Sequence, residues 1–139
     1  MGYIISSKYQ IDRGAHMNLI VIMLIALTVA LNTIAQLALK AGMIQIGSFS
    51  FTWENFAPIM TKVLISPWII TGVVVYAISV LVWLMVLSRA PVNIAYPMSS
   101  LGYITSAVAA YYLWGEDLTL ARIIGISIIL LGVYLVAKN

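Results

Sequence analysis

Residues 68–87 read Trp-Ile-Ile-Thr-Gly-Val-Val-Val-Tyr-Ala-Ile-Ser-Val-Leu-Val-Trp-Leu-Met-Val-Leu, an uncharged run set between Ser66-Pro67 and Ser88-Arg89. About 20 apolar residues, rising 1.5 Å each, cross roughly 30 Å of hydrocarbon as a helix. Three comparable runs flank this one, from about Asn18 to Ala41, about Ile94 to Trp114 and about Thr119 to Ala137. In lipid each crossing must satisfy its own backbone hydrogen bonds, so all four runs are read as helices. The expected fold is all-α, an integral membrane bundle of four transmembrane helices. An even number of crossings puts both termini on one side. The links after the second and third runs are so short that those helices must be antiparallel neighbours.

Composition points the same way. The chain has 139 residues, 63% hydrophobic and 8% charged, with a mean hydropathy of +1.08. Soluble domains are about half apolar and about a quarter charged, and so short a chain could not hide this much apolar surface in a water-soluble core. The absence of cysteine excludes disulfides and thiolate metal sites. The net charge of +3 is scattered and lacks the clustered basic footprint of a nucleic-acid binder.

Residues 1–16 are polar and include Lys8, Asp12 and Arg13, and Gly14-Ala15-His16-Met17 resembles a cloning junction before a start at Met17. Residues 1–16 are therefore read as an appended leader or a disordered tail, and 17–139 as the transmembrane domain. In the long link from Gly42 to Pro67, Trp53, Phe56, Ala57, Met60, Val63 and Leu64 recur at helical spacing. This pattern predicts an interfacial amphipathic helix over about 53–65 with Trp53 as its anchor, or else a loop carrying a few hydrophobes.

The polar residues within the apolar runs carry the functional signal. Thr28, Asn32, Gln36 and Lys40 follow one another at intervals of four, so they form one slanting stripe along the first helix. Polar groups at membrane depth usually face a bundle interior or a wet cavity. The same residues also suit plain interhelical hydrogen bonding, with Lys40 snorkelling to the headgroups. The second run adds Tyr76 and Trp83 on a face with Gly72 and Ser79, and the third adds Tyr96, Ser99 and Tyr103. Pro91 and Pro97 predict a broken or kinked start to the third helix, because the residue before a proline avoids helical geometry. Gly125 and Gly132 lie two turns apart on one face of the fourth helix and suit a close helix–helix contact. Glu116 and Asp117 precede that helix, where Asp117 or Thr119 could cap it.

No run has a carboxylate near its middle, as proton-coupled export of organic cations would need. There is no HExxH pair, no phosphate-binding GxxxxGK loop and no nucleophile elbow, so neither an enzyme nor a cofactor is expected. Lys40, Arg89 and Arg122 fall near the expected membrane surfaces, where a phosphate would sit. An anionic headgroup suits this inventory better than a cation, with Glu116 in an interfacial, gating or ion-pairing role. Without the leader, Arg89 and Lys138 on one side face Lys40, Lys62 and Arg122 on the other. That is too little bias to set a topology. Either a partner sets the orientation, or the chain inserts both ways and pairs with itself.

The run Ala90-Pro-Val-Asn-Ile-Ala-Tyr-Pro-Met-Ser-Ser100-Leu resembles the start of the third helix in the small multidrug resistance superfamily. Leu113-Trp-Gly-Glu-Asp-Leu-Thr, followed by Ile124-Gly-Ile-Ser-Ile-Ile-Leu-Leu-Gly-Val, resembles its close. Both patterns also occur in the drug/metabolite transporter (EamA-like) superfamily. Within that group the chain is most similar to the paired small subunits of the aminoarabinose-phosphoundecaprenol flippases. These share the Pro-Val-x-Ile-Ala-Tyr-Pro-Met pattern and a Gln and Lys late in the first helix, here Gln36 and Lys40.

The resemblance implies a flippase-like transporter of a polyprenyl (undecaprenyl)-phosphate-linked sugar in the bacterial inner membrane. Lys40 would meet the phosphate, and Asn32, Gln36, Tyr76, Trp83, Tyr96, Ser99 and Tyr103 would line the sugar path. It implies dimerisation through Gly125 and Gly132, as an antiparallel homodimer or a heterodimer with a paralogous subunit. The drug exporters of the superfamily carry an essential glutamate eight residues before their lysine, where this chain has Asn32. A small multidrug or metabolite exporter and a non-transporting partner subunit are the alternatives.

Overall fold

A computed structural model of the chain describes residues 19–138; the expected leader lies outside them. The described elements are all helical: α1 Leu19–Ile46, α2 Trp53–Ile65, α3 Pro67–Leu87, α4 Val92–Ser99, α5 Leu101–Trp114 and α6 Leu120–Lys138. Among them, α1, α3 and α6 are long and apolar enough to cross a membrane. At 28 residues α1 is about 42 Å long and outlasts its predicted end at Ala41 by more than a turn. It stops at Gly47, whose φ of +83° lets the chain turn while its N–H bonds back to Met43 O at 2.9 Å.

The third apolar run does not form one continuous helix. It divides at Ser100 into α4, of 8 residues, and α5, of 14. Pro97 has no N–H to donate, and its ring crowds the carbonyl of the preceding turn. The Ser99 hydroxyl donates to Tyr96 O, and Ser100 donates to Pro97 O through both its hydroxyl and its N–H. Tyr103 N–H then bonds Ser100 O at 3.0 Å, a tight three-residue step that restarts the helix. Neither half alone is long enough to span.

Helices α2 and α3 are joined by a single extended residue, Ser66, at φ −68° and ψ 120°. The ring of Pro67 forces this on the residue before it, and the same proline is well suited to open α3. On α2, Glu54 in the first turn and Lys62 in the last both complement the helix dipole, and Trp53 is 95% exposed.

The strongest packing lies between α1 and α3, and small residues set its closeness. Thr28, Ala35 and Gly42 fall two turns apart on one face of α1. Opposite them on α3, Ser79 donates to Thr28 O at 3.4 Å, Gly72 meets Ala35 and Leu39, and Ile69 covers Gly42. A Cβ on Gly72 would stand 2.8 Å from Leu39 Cγ and 3.0 Å from Ala35 O, so the backbones touch there. Such close approach is how helices associate where lipid supplies no hydrophobic drive. Toward one end, Val21, Ile25, Val86, Ala95 and Met98 form the buried core, with Val133 of α6 against it. Among the described residues, little covers α6 beyond that contact, and a Cβ on Gly125 or Gly132 would meet none of their atoms within 4 Å.

Candidate functional site

The polar stripe of α1 splits between two neighbours. Thr28 turns toward α3, with its hydroxyl bonded to Leu24 O at 2.9 Å. Asn32 and Lys40 follow the seam between α1 and α5. There the Thr33 and Thr105 hydroxyls share a hydrogen bond, and Asn32 stands 3.9 Å from the place a Cβ on Gly102 would take. Asn32 Oδ1 is buried and accepts no hydrogen bond from the described residues, a costly state for a polar atom. Gln36 is exposed.

Lys40 closes this seam two turns, about 12 Å, above Asn32. Its ammonium forms an ion pair with the Glu116 carboxylate and lies 4.9 Å from the centre of the Trp114 ring. The ion pair depends on how α5 ends. Gly115 adopts the left-handed conformation, φ 64° and ψ 31°, and its N–H caps Tyr111 O at 3.0 Å. The chain therefore reverses at once, and the residue after the glycine falls beside Lys40 in the last third of α1. Arg122 donates to Asp117 O at 2.7 Å, and Thr119 accepts from Arg122 N–H at 3.4 Å, so Thr119 caps α6. These bonds tie the turn that carries Glu116 to α6.

The other candidate residues sit apart from this cluster. Trp83 and Tyr96 meet edge to face at 5.4 Å across α3 and α4, and Ser99 is engaged with the Tyr96 carbonyl. Arg89 lies at the opposite end of α3, bonded to Met85 O and the Ser88 hydroxyl. Tyr76 is on the open face of α3. Tyr103 faces away from the seam and shares an open cleft of about 330 Å³ with Arg122 and Gly125 of α6. Trp114, Thr33 and Thr105 belong to the seam but do not stand out in the sequence. Trp114 reads there as one aromatic among several, and the two threonines fall off the four-residue stripe. A hydroxyl at each position inside an apolar run was their only signal.

Three helices long and apolar enough to cross a membrane, with a charged, half-exposed seam at one end, mark a multi-pass helical membrane protein. Comparison with known proteins narrows the class. The chain is 33% identical over 118 residues to the probable 4-amino-4-deoxy-L-arabinose-phosphoundecaprenol flippase subunit ArnF of Proteus mirabilis (strain HI4320), covering 77% of this chain and 84% of that one. Against the subunit of the same name in Shewanella sediminis (strain HAW-EB3) it is 33% identical over 136 residues, or 88% and 92% of the two chains. The probable subunit ArnE of Erwinia tasmaniensis matches at 42% over 66 residues, 48% of this chain and 61% of the relative. No family model and no solved structure matches. The chain belongs to the small multidrug resistance family, in its group of aminoarabinose-phosphoundecaprenol flippase subunits.

Proposed function

We propose that the chain is a flippase subunit that carries an undecaprenyl-phosphate-linked sugar across the bacterial inner membrane, acting as a transporter and not as an enzyme. The names of its relatives supply the substrate class. Within the chain, the observation that carries the reading is Lys40: a half-exposed cation at one end of a helical bundle, heading a seam that contains an unsatisfied amide. A lipid phosphate can reach Lys40 while the prenyl chain stays in the bilayer. The sugar then meets Asn32, Gln36 and the hydroxyls along the seam. On this reading the seam between the helices admits its substrate sideways from lipid, as a long prenyl tail requires.

In this reading α4 and α5 together make one crossing, broken at Ser100, and the bundle has four. The uncovered α6, with room at Gly125 and Gly132, is the surface for a second subunit, either a paralogue or an antiparallel copy. Trp83 and Tyr96 flank the path at the opposite end, where Arg89 receives the headgroup, and Tyr103 and Arg122 serve the cleft beside the seam. The test is lipid translocation in reconstituted vesicles by Lys40→Ala. Translocation at the wild-type rate would sink the role given to Lys40.

A further inference from the structure

The Lys40–Glu116 pair holds more chemistry than an anion site needs. The ammonium and carboxylate neutralise each other while staying 38% and 42% exposed, so a headgroup can reach either one. Trp114 supplies a flat apolar wall beside them. The hydrogen bonds of Arg122 to Asp117 O and Thr119 brace the turn beside Glu116 without using either member of the pair. A purely anionic headgroup that took Lys40 would leave the Glu116 carboxylate next to its own negative charge, an unfavourable juxtaposition. A headgroup carrying its own cation would not.

We propose that Lys40 and Glu116 form an exchange site for a zwitterionic headgroup, in which the phosphodiester takes Lys40, an ammonium on the sugar takes Glu116, and Glu116 thereby selects amino sugars. The proposal rests on the assignment of Lys40 to the lipid phosphate. Loading replaces one internal ion pair with two external ones, and no charge is left alone in the half-shielded seam. No covalent bond changes. The Trp114 face stays beside a cation or the apolar side of the sugar throughout, both favourable contacts for an indole. The recognised chemistry, a phosphodiester bearing an ammonium, also occurs in phosphatidylethanolamine, a bulk lipid, so the two sources must be separated.

The test measures binding to the full chain in uncharged maltoside micelles. The probes are the geranyl phosphodiester of 4-amino-4-deoxy-L-arabinose and its N-acetyl derivative, which lacks the positive charge. The wild type is expected to favour the free amine by about fivefold, the upper range for one half-exposed ion pair. Glu116→Gln is expected to abolish that preference and to strengthen binding of the N-acetyl probe, whereas Glu116→Asp, which keeps the charge, retains the preference. Lys40→Gln should weaken both probes. Equal binding of the two probes by the wild type, or a preference that survives in Glu116→Gln, overturns the exchange site and leaves the Lys40 assignment standing. If Lys40→Gln weakens neither probe, the Lys40 assignment itself fails. Displacement of the amino-sugar probe by phosphatidylethanolamine at equal concentration would show a bulk-lipid site and overturn amino-sugar selection.

Discussion

Lys40 on α1 and Glu116 just beyond α5 are distant in sequence and joined in space, with the Trp114 ring beside the ammonium. The contact exists because α5 packs beside α1 and because Gly115 turns the chain immediately after α5. At two-fifths exposure the pair is screened by water and contributes under about 1 kcal/mol to stability. Its importance is therefore expected in transport more than in folding.

Lys40→Ala should cut lipid translocation in reconstituted vesicles at least tenfold, since a charge-assisted contact to phosphate is worth about 1.5–3 kcal/mol. The unfolding midpoint in detergent should move little. A large loss of stability with transport intact would reverse this assignment.

Asn32→Leu should separate stability from function. It removes a buried carbonyl oxygen that lacks a partner among the described residues, so the variant is expected to be as stable as the wild type or more so. Translocation should fall because the seam loses its amide. Thermal unfolding and vesicle assays on one preparation check both halves.

Gly72→Val should loosen the α1–α3 pair, because its Cβ would stand 2.8 Å from Leu39 Cγ. Overpacking of this kind costs about 1–3 kcal/mol. Gly102→Ala, whose Cβ would meet its neighbours at an ordinary 3.9 Å, is the tolerated control. Unfolding of both in the same detergent gives the comparison.

Gly132→Leu should leave the helical content and unfolding of the isolated chain unchanged, since among the described residues nothing lies within 4 Å of a Cβ at that position. It should weaken association with a second subunit, measured by crosslinking in membranes. Unaltered crosslinking would remove α6 from the subunit interface.

Thr33→Val and Thr105→Val should each cost about 0.6 kcal/mol, the typical worth of one hydrogen bond between membrane helices. The double variant should cost hardly more than Thr105→Val alone, because the two hydroxyls share one bond and Thr105 also donates to Gly102 O at 3.0 Å. A double-mutant cycle on unfolding free energies measures the coupling.

Much of this architecture follows from local order along the chain. Hydropathy adds up residue by residue, so runs such as 68–87 could be nothing but buried or membrane helices. The interval of four in Thr28, Asn32, Gln36 and Lys40 placed a polar stripe on α1, and Pro97 announced a break that the structure locates at Ser100. Packing decided the rest. Whether a stripe residue faces α3, α5 or lipid depends on how α1 rotates against its neighbours. That rotation is set by contacts such as Gly72 against Ala35 and Leu39, which no periodicity reveals. The Lys40 charge was legible in the chain; its partner was not, because an ion pair between one helix and the turn after another depends on packing, register and the Gly115 turn together.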